Sequence, residues 1–108
     1  MGARTLRRQF LRGLHTGLRV VWPILSALLV LIILLGVVVG LLEGWSIHES
    51  IYFAYVTGLT IGYGDFAPTS FLTRALSITI GACGLLLTAV VAAIAVKALA
   101  AVTDDDQR

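Results

Sequence analysis

Two runs of this chain carry no charge at all, Val20 to Leu42 and Ala75 to Val96. Each exceeds the ~20 residues that, rising about 1.5 Å per residue, cross a hydrocarbon core of roughly 30 Å. No water reaches a backbone N–H or C=O in such a core, so a spanning segment must satisfy its own hydrogen bonds. The chain is therefore read as an all-α membrane protein with two transmembrane helices. At 108 residues it is one domain at most, too short for a soluble core beside the membrane region. A cleaved signal peptide is the rival reading of the first run. Its apolar stretch is well beyond the roughly 7–15 residues of a signal core, and Leu42-Glu43-Gly44-Trp45 makes a poor cleavage site.

The placement of charge orients the two spans. Arg4, Arg7, Arg8, Arg12 and Arg19 precede the first span and Lys97 follows the second. Glu43, Glu49 and Asp65 lie between them with only Arg74 in opposition. Basic residues mark cytoplasmic flanks, so both termini are expected in the cytoplasm of a multi-pass cell-membrane protein, with the central segment outside. Cys83 is the only cysteine and falls in the second span, which rules out an intrachain disulfide and leaves small apolar packing as its role.

Five segments follow. Residues 1–19 read as a basic amphipathic helix, with Leu6, Phe10, Leu14 and Leu18 every four residues and arginines on the other side. Such a helix lies in the headgroup layer, where anionic lipid at the cytoplasmic face is the expected partner. A flexible basic leader is the plainer reading, and Gly13 and Gly17 weaken the helix. Residues 20–42 form the outer span, few in polar atoms and expected to face lipid, with Pro23 near its start and Trp22 and Trp45 as interfacial anchors. Residues 43–70 hold an extracellular turret, a short helix from Ile47 to Leu59, and a loop. Ser46 fits its N-cap, and Glu49 three residues on completes the pattern Ser-x-x-Glu. Residues 71–99 form the inner span, rich in small residues suited to close helix packing. Residues 100–108 are a short cytoplasmic tail with the solvated run Asp104-Asp105-Asp106.

The loop Thr60-Ile61-Gly62-Tyr63-Gly64-Asp65 is glycine-rich and uncharged until its last residue. Non-helical backbone at membrane depth is tolerated only when buried in protein or lining a water-filled cavity. A dehydrating cation needs oxygen ligands, and carbonyls supply them without a fixed charge that would trap it. Aiming successive carbonyls at one axis requires alternate residues outside the ordinary L-residue regions, which Gly62 and Gly64 reach cheaply. Ile61 and Tyr63 are then expected to point away from the axis, with Tyr52, Phe53 and Tyr55 as supports. One loop cannot surround an ion, so a single-repeat chain is expected to close the ring as a homo-oligomer.

The stretch Thr60 to Asp65 resembles the TxGYGD selectivity filter of the small two-transmembrane potassium channels. Outer helix, re-entrant helix, loop and inner helix also occur in the family's order. Ile-Tyr-Phe-Ala-Tyr-Val-Thr before the loop looks like the pore helix of tandem-pore channels. The resemblance implies a homotetramer in which the carbonyls of Thr60, Ile61, Gly62 and Tyr63, with the Thr60 hydroxyl, form four potassium sites. It implies a hinge at Gly84 and cavity-lining positions at Leu85, Thr88 and Ala92. Potassium ions would be permeant ligands; no cofactor and no nucleic-acid partner is expected.

The departures lie behind the filter. Leu59 stands where the family usually has threonine, and Gly58 sits within the short helix, where glycine costs about 1 kcal/mol relative to alanine. Val56 occupies the position of a carboxylate that bonds the filter aspartate in a bacterial relative. Asp65 then needs another partner, Tyr52 or water. His15 and His48 read as exposed or as pH-sensitive, and Arg74 as a snorkelling anchor. No arginine ladder forms a voltage sensor, and neither phosphate-binding glycine motif is present. The expected function is passive potassium conduction and not enzymatic. A weakly selective cation pore and a non-conducting membrane anchor or packing subunit are the alternatives.

Overall fold

A computed structural model describes residues 2–107, with side chains through Thr103. It contains three helices, α1 (Ala3–Glu43), α2 (Ile47–Gly58) and α3 (Phe71–Gln107), and no strand among the described residues. Helices α1 and α3 are both long and apolar enough to cross a membrane. With 12 residues, α2 reaches only about 18 Å and cannot.

The expected break between an N-terminal helix and the first span is absent, since α1 runs through Pro23 in its interior. The proline leaves the Arg19 carbonyl without its usual N–H partner. Leu18 to Trp22 nevertheless offer no glycine or capping residue at which the helix could stop. Likewise α3 continues past Leu99 through the alanine-rich Ala98–Ala101, which favours helix. The side chains of Asp104-Asp105-Asp106, read above as a solvated run, lie outside the described residues.

The chain divides into two compact units, one of residues Leu25–Thr88 and one pairing Met1–Ile24 with Ala89–Arg108. In the first unit Ile32, Val39, Phe53, Ala54 and Ile80 form the buried core, with Leu35, Trp45, Phe66, Leu76 and Cys83 packed against it. The buried residues of α1 (Leu25, Ile32, Gly36, Val39 and Gly40) recur at helical spacing. A Cβ on Gly36 would come 2.5 Å from that of Ala54, and one on Gly40 would collide with the Ser50 hydroxyl. Those two glycines let α1 and α2 approach closely. The outer span, expected to face lipid, thus keeps one stripe for α2. Trp45 packs against this core, meeting Phe53 and Phe66 edge-on at 5.0 and 5.3 Å. Trp22 stays exposed.

In the second unit Gly13 faces Ala98 and Gly17 faces Ile94. A Cβ on Gly17 would lie 2.5 Å from the Ile94 methyl Cγ2, and one on Gly13 would lie 3.3 Å from Ala98 Cβ. Glycines that weaken an isolated helix serve here as seats for the facing helix.

Candidate functional site

The site begins with the cap of α2. Glu49 N–H donates to Ser46 Oγ at 3.2 Å, and Ser46 N–H donates to Glu49 Oε1 at 2.9 Å, the reciprocal capping box read from the sequence. The Ser46 backbone N–H, then its hydroxyl, holds the Glu49 carboxyl below its ordinary value. The hydroxyl of buried Ser50 donates to Ser46 O at 2.8 Å. These bonds fix where α2 starts and therefore where it releases the loop.

At its other end α2 turns directly into the glycine-rich loop. The N–H groups of Ile61 and Gly62 both donate to the carbonyl of Val56, at 2.9 and 3.3 Å, and Thr60 N–H donates to Thr57 O at 3.1 Å. Positive φ then alternates along the loop: 61° at Thr60, 61° at Gly62 and 84° at Gly64. For Gly62 and Gly64 this conformation is inexpensive. For the β-branched Thr60 it is an outlier that costs about 1–2 kcal/mol. Among the described residues, no carbonyl from Thr60 to Gly64 accepts a hydrogen bond within the chain. The start of the loop is held by its N–H groups, and the loop keeps its oxygens uncommitted. The Thr60 hydroxyl donates to Leu59 O at 2.6 Å, which leaves its lone pairs free as well.

The supports differ in part from those expected. Tyr52 meets Phe66 edge-on at 5.9 Å, and Phe53 meets Trp45, while Tyr55 is exposed. Phe66 and Trp45 are thus the aromatic wall beside α2, a role the sequence marked for neither. Ile61 and Tyr63 keep 48% and 69% of their surface exposed in the single chain. Val56 is buried and contributes through its backbone carbonyl. Asp65 accepts from Phe66 N–H at 3.2 Å. Its carboxylate also pushes the Tyr52 phenol above its ordinary pKa, chiefly as a hydrogen-bond acceptor, with burial adding to the rise.

A second polar cluster sits just past the loop. Glu43, at the end of α1, accepts from Thr69 N–H at 2.8 Å, Thr69 Oγ1 at 2.8 Å and Thr73 Oγ1 at 2.6 Å. Thr73 N–H donates in turn to Ser70 Oγ, capping α3. The Thr69 backbone N–H, followed by the Thr73 and Thr69 hydroxyls, lowers the Glu43 pKa to about 2. Glu43 was read from sequence only as a charge. Arg74 Nε donates to Pro68 O at 3.4 Å and remains exposed.

On α3, Gly84 is buried where a Cβ would overlap the carbonyl of Gly58. Gly58, the last residue of α2, is in turn a contact surface. Leu85, Thr88 and Ala92 are exposed in the single chain. No cluster of three His, Cys, Asp or Glu side chains suited to a metal ion occurs among the described residues. Backbone oxygen is the ligand this site offers.

Two spanning helices, joined through a short helix too brief to cross and a loop of uncommitted carbonyls, define a membrane-spanning protein with a re-entrant element. A family described as "Ion channel" matches residues 27–101, more than half of the chain, and the protein belongs to that family. Among its relatives, Potassium channel protein 1 of Methanocaldococcus jannaschii is 40% identical over 47 residues, 44% of this chain and 14% of that protein. Potassium channel subfamily K member 17 of Homo sapiens is 42% identical over 43 residues, 40% of this chain and 13% of that protein. Potassium channel subfamily K member 10 of Mus musculus is 43% identical over 55 residues, 48% of this chain and 10% of that protein. The chain therefore matches a small part of the length of these relatives. No solved structure matches it significantly.

Proposed function

We propose that the chain is one subunit of a homotetrameric potassium channel of the cell membrane, conducting passively through a central pore. The observation that carries this reading is the loop from Thr60 to Gly64, with its N–H anchors on Val56, alternating positive φ and unpartnered carbonyls. An ion needs oxygens on every side, so four copies about one axis supply what a single loop lacks. In that assembly the carbonyls of Thr60, Ile61, Gly62 and Tyr63 and the Thr60 hydroxyl bind successive potassium ions, and Asp65 marks the outer mouth. The end of α2 directs its negative dipole end at the cavity and favours a cation there. Leu85, Thr88 and Ala92 line the cavity below. The names of the relatives support potassium as the permeant ion. The cytoplasmic placement of both termini rests on the arginines before the first span. The protein has no enzymatic role and needs no cofactor.

Reversal potentials of the purified protein in planar bilayers, under opposed potassium and sodium gradients, test this reading. A reversal close to the potassium equilibrium potential is expected. A reversal near zero would replace it with a weakly selective cation pore, and absence of current with a membrane anchor. Gly62→Ala places a side chain at a φ of 61°, which costs about 1–2 kcal/mol. It should abolish conduction while leaving membrane insertion intact.

A further inference from the structure

Two features of α1 fall at the same place. Pro23 lies inside the helix and has no N–H to give the Arg19 carbonyl, so one rung of hydrogen bonding is missing there. The division of the chain into two units cuts α1 directly after Ile24, one residue further on. Sharp bends in helices concentrate at proline, and Pro23 is exposed. A weak point written in the sequence thus coincides with a boundary set by packing.

On the N-terminal side of Pro23, α1 is interlocked with the end of α3. The Ile94 methyl Cγ2 fills the space that a Cβ on Gly17 would need, and Ala98 meets Gly13 in a similar seat. Ala98 and Val102 are buried on this stretch of α3. After Gly84, α3 carries neither glycine nor proline, so from Leu85 onward its end moves as a rod. Displacing that rod leaves two courses: the seats at Gly13 and Gly17 open, or α1 goes along. Opening the seats uncovers Ala98 and Val102 and breaks a close-packed contact. Going along bends α1 at Pro23, where the hydrogen bond that would resist is already absent. The second course costs less.

We propose that residues 3–22 of α1 and the end of α3 from Ala89 stay paired and move as one body about Pro23 when the pore opens and shuts. The outer helix is then a working part of the gate, and Pro23 is its hinge. This rests on the channel reading, since gating has no meaning without a pore.

Single-channel recording of the full chain in planar bilayers tests it, with Cys83→Ala as the background. Gly17→Cys with Ile94→Cys places two Cβ atoms about 3.6 Å apart, within the range of a disulfide. Oxidation should consume both thiols, and electrophoresis without reductant should show a monomer, which locates the bridge within one subunit. The bridged channel should open as often as the reduced one. Gly13→Cys with Ala98→Cys repeats the measurement at the second seat. Pro23→Ala returns an N–H to the Arg19 carbonyl and should change the open-to-shut ratio by about 5-fold, the equivalent of one net hydrogen bond. Val30→Ala, exposed on the same helix, should leave the ratio unchanged. A bridge that locks the channel in one state until reductant is added would overturn the proposal, because the two helices then part during gating. So would failure of both pairs to bridge, or an unchanged ratio in Pro23→Ala. Wild type that passes no current fails the channel reading and this one with it, whereas wild-type current with a locking bridge fails this one alone.

Discussion

Gly84→Ala separates two roles that a glycine in an inner helix can play. As a hinge, Gly84 would accept a methyl group with little effect on stability and a change only in opening. In the structure its methyl would overlap the Gly58 carbonyl oxygen, with Gly58 C and Cα at 2.6 and 2.7 Å. These are backbone atoms that no rotamer change can move aside, so α3 and the end of α2 must separate. Overpacking costs about 1–3 kcal/mol, and an immovable obstacle belongs in the upper half of that range. Replacing glycine by alanine in a helix returns about 0.5–1 kcal/mol. The net expectation is a loss of about 1–2 kcal/mol. Gly81 provides the control, one turn earlier on the same helix, where a Cβ meets nothing within 4 Å. Unfolding in mixed micelles with increasing dodecyl sulfate, followed by circular dichroism, compares the two variants under one condition. Gly84→Ala should unfold at a lower detergent fraction than wild type, and Gly81→Ala should not. Wild-type stability in Gly84→Ala, with altered open probability alone, would refute the close-contact reasoning and leave the hinge. Because Gly58 leads through Leu59 into Thr60, displacement at this contact should also lower single-channel conductance.

Two further outcomes concern the ends of the loop segment. The Glu43 carboxyl titrates at about 2 when folded and near 4.5 otherwise, so its contribution is present above pH 4.5 and disappears as pH falls through 2. Wild type should lose thermal stability across that window more steeply than Glu43→Gln, and parallel pH profiles would show that the threonine cluster contributes nothing. Ser46→Ala removes one half of the capping box and should cost about 1 kcal/mol in the same micelle assay. Ser46→Asp, which keeps an acceptor, should recover most of it.

Local signals were legible in the sequence because each acts within a few residues. The charge-free runs fixed the spans, Ser46 and Glu49 fixed the start of α2, and Gly62 and Gly64 marked the alternation of the loop. Pairings across the chain were not legible, for a reason particular to membranes. When both sides of a helix are apolar, hydrophobic periodicity no longer tells which side meets protein and which meets lipid. The stripe of α1 that receives α2 is set by Gly36 and Gly40, which look like ordinary small residues until Ser50 and Ala54 are placed against them. Glu43 reaches Thr69 and Thr73 across 26 and 30 residues, and nothing local to either marks the partnership. Continuity of α1 and α3 beyond the expected boundaries has the opposite origin. Segmentation by charge and hydropathy imposed a break where the backbone had no reason to stop.

The departures behind the loop take on a different meaning in this light. Val56 lacks the carboxylate that bonds the filter aspartate in a bacterial relative, and from sequence this left the loop without a visible brace. Its backbone carbonyl is the brace, receiving the N–H groups of both Ile61 and Gly62. Two carboxyl groups at that depth can bond only if one stays protonated, because like charges raise each other's pKa, whereas a backbone acceptor brings no added charge. Leu59 follows the same logic, because its carbonyl takes the Thr60 hydroxyl at 2.6 Å. Support that depends on carbonyls tolerates side-chain change at Val56 and Leu59 but not distortion of the α2 C-terminus. The sensitive position is therefore Gly58, where α3 presses through Gly84 on the residue that sets the geometry of everything after it.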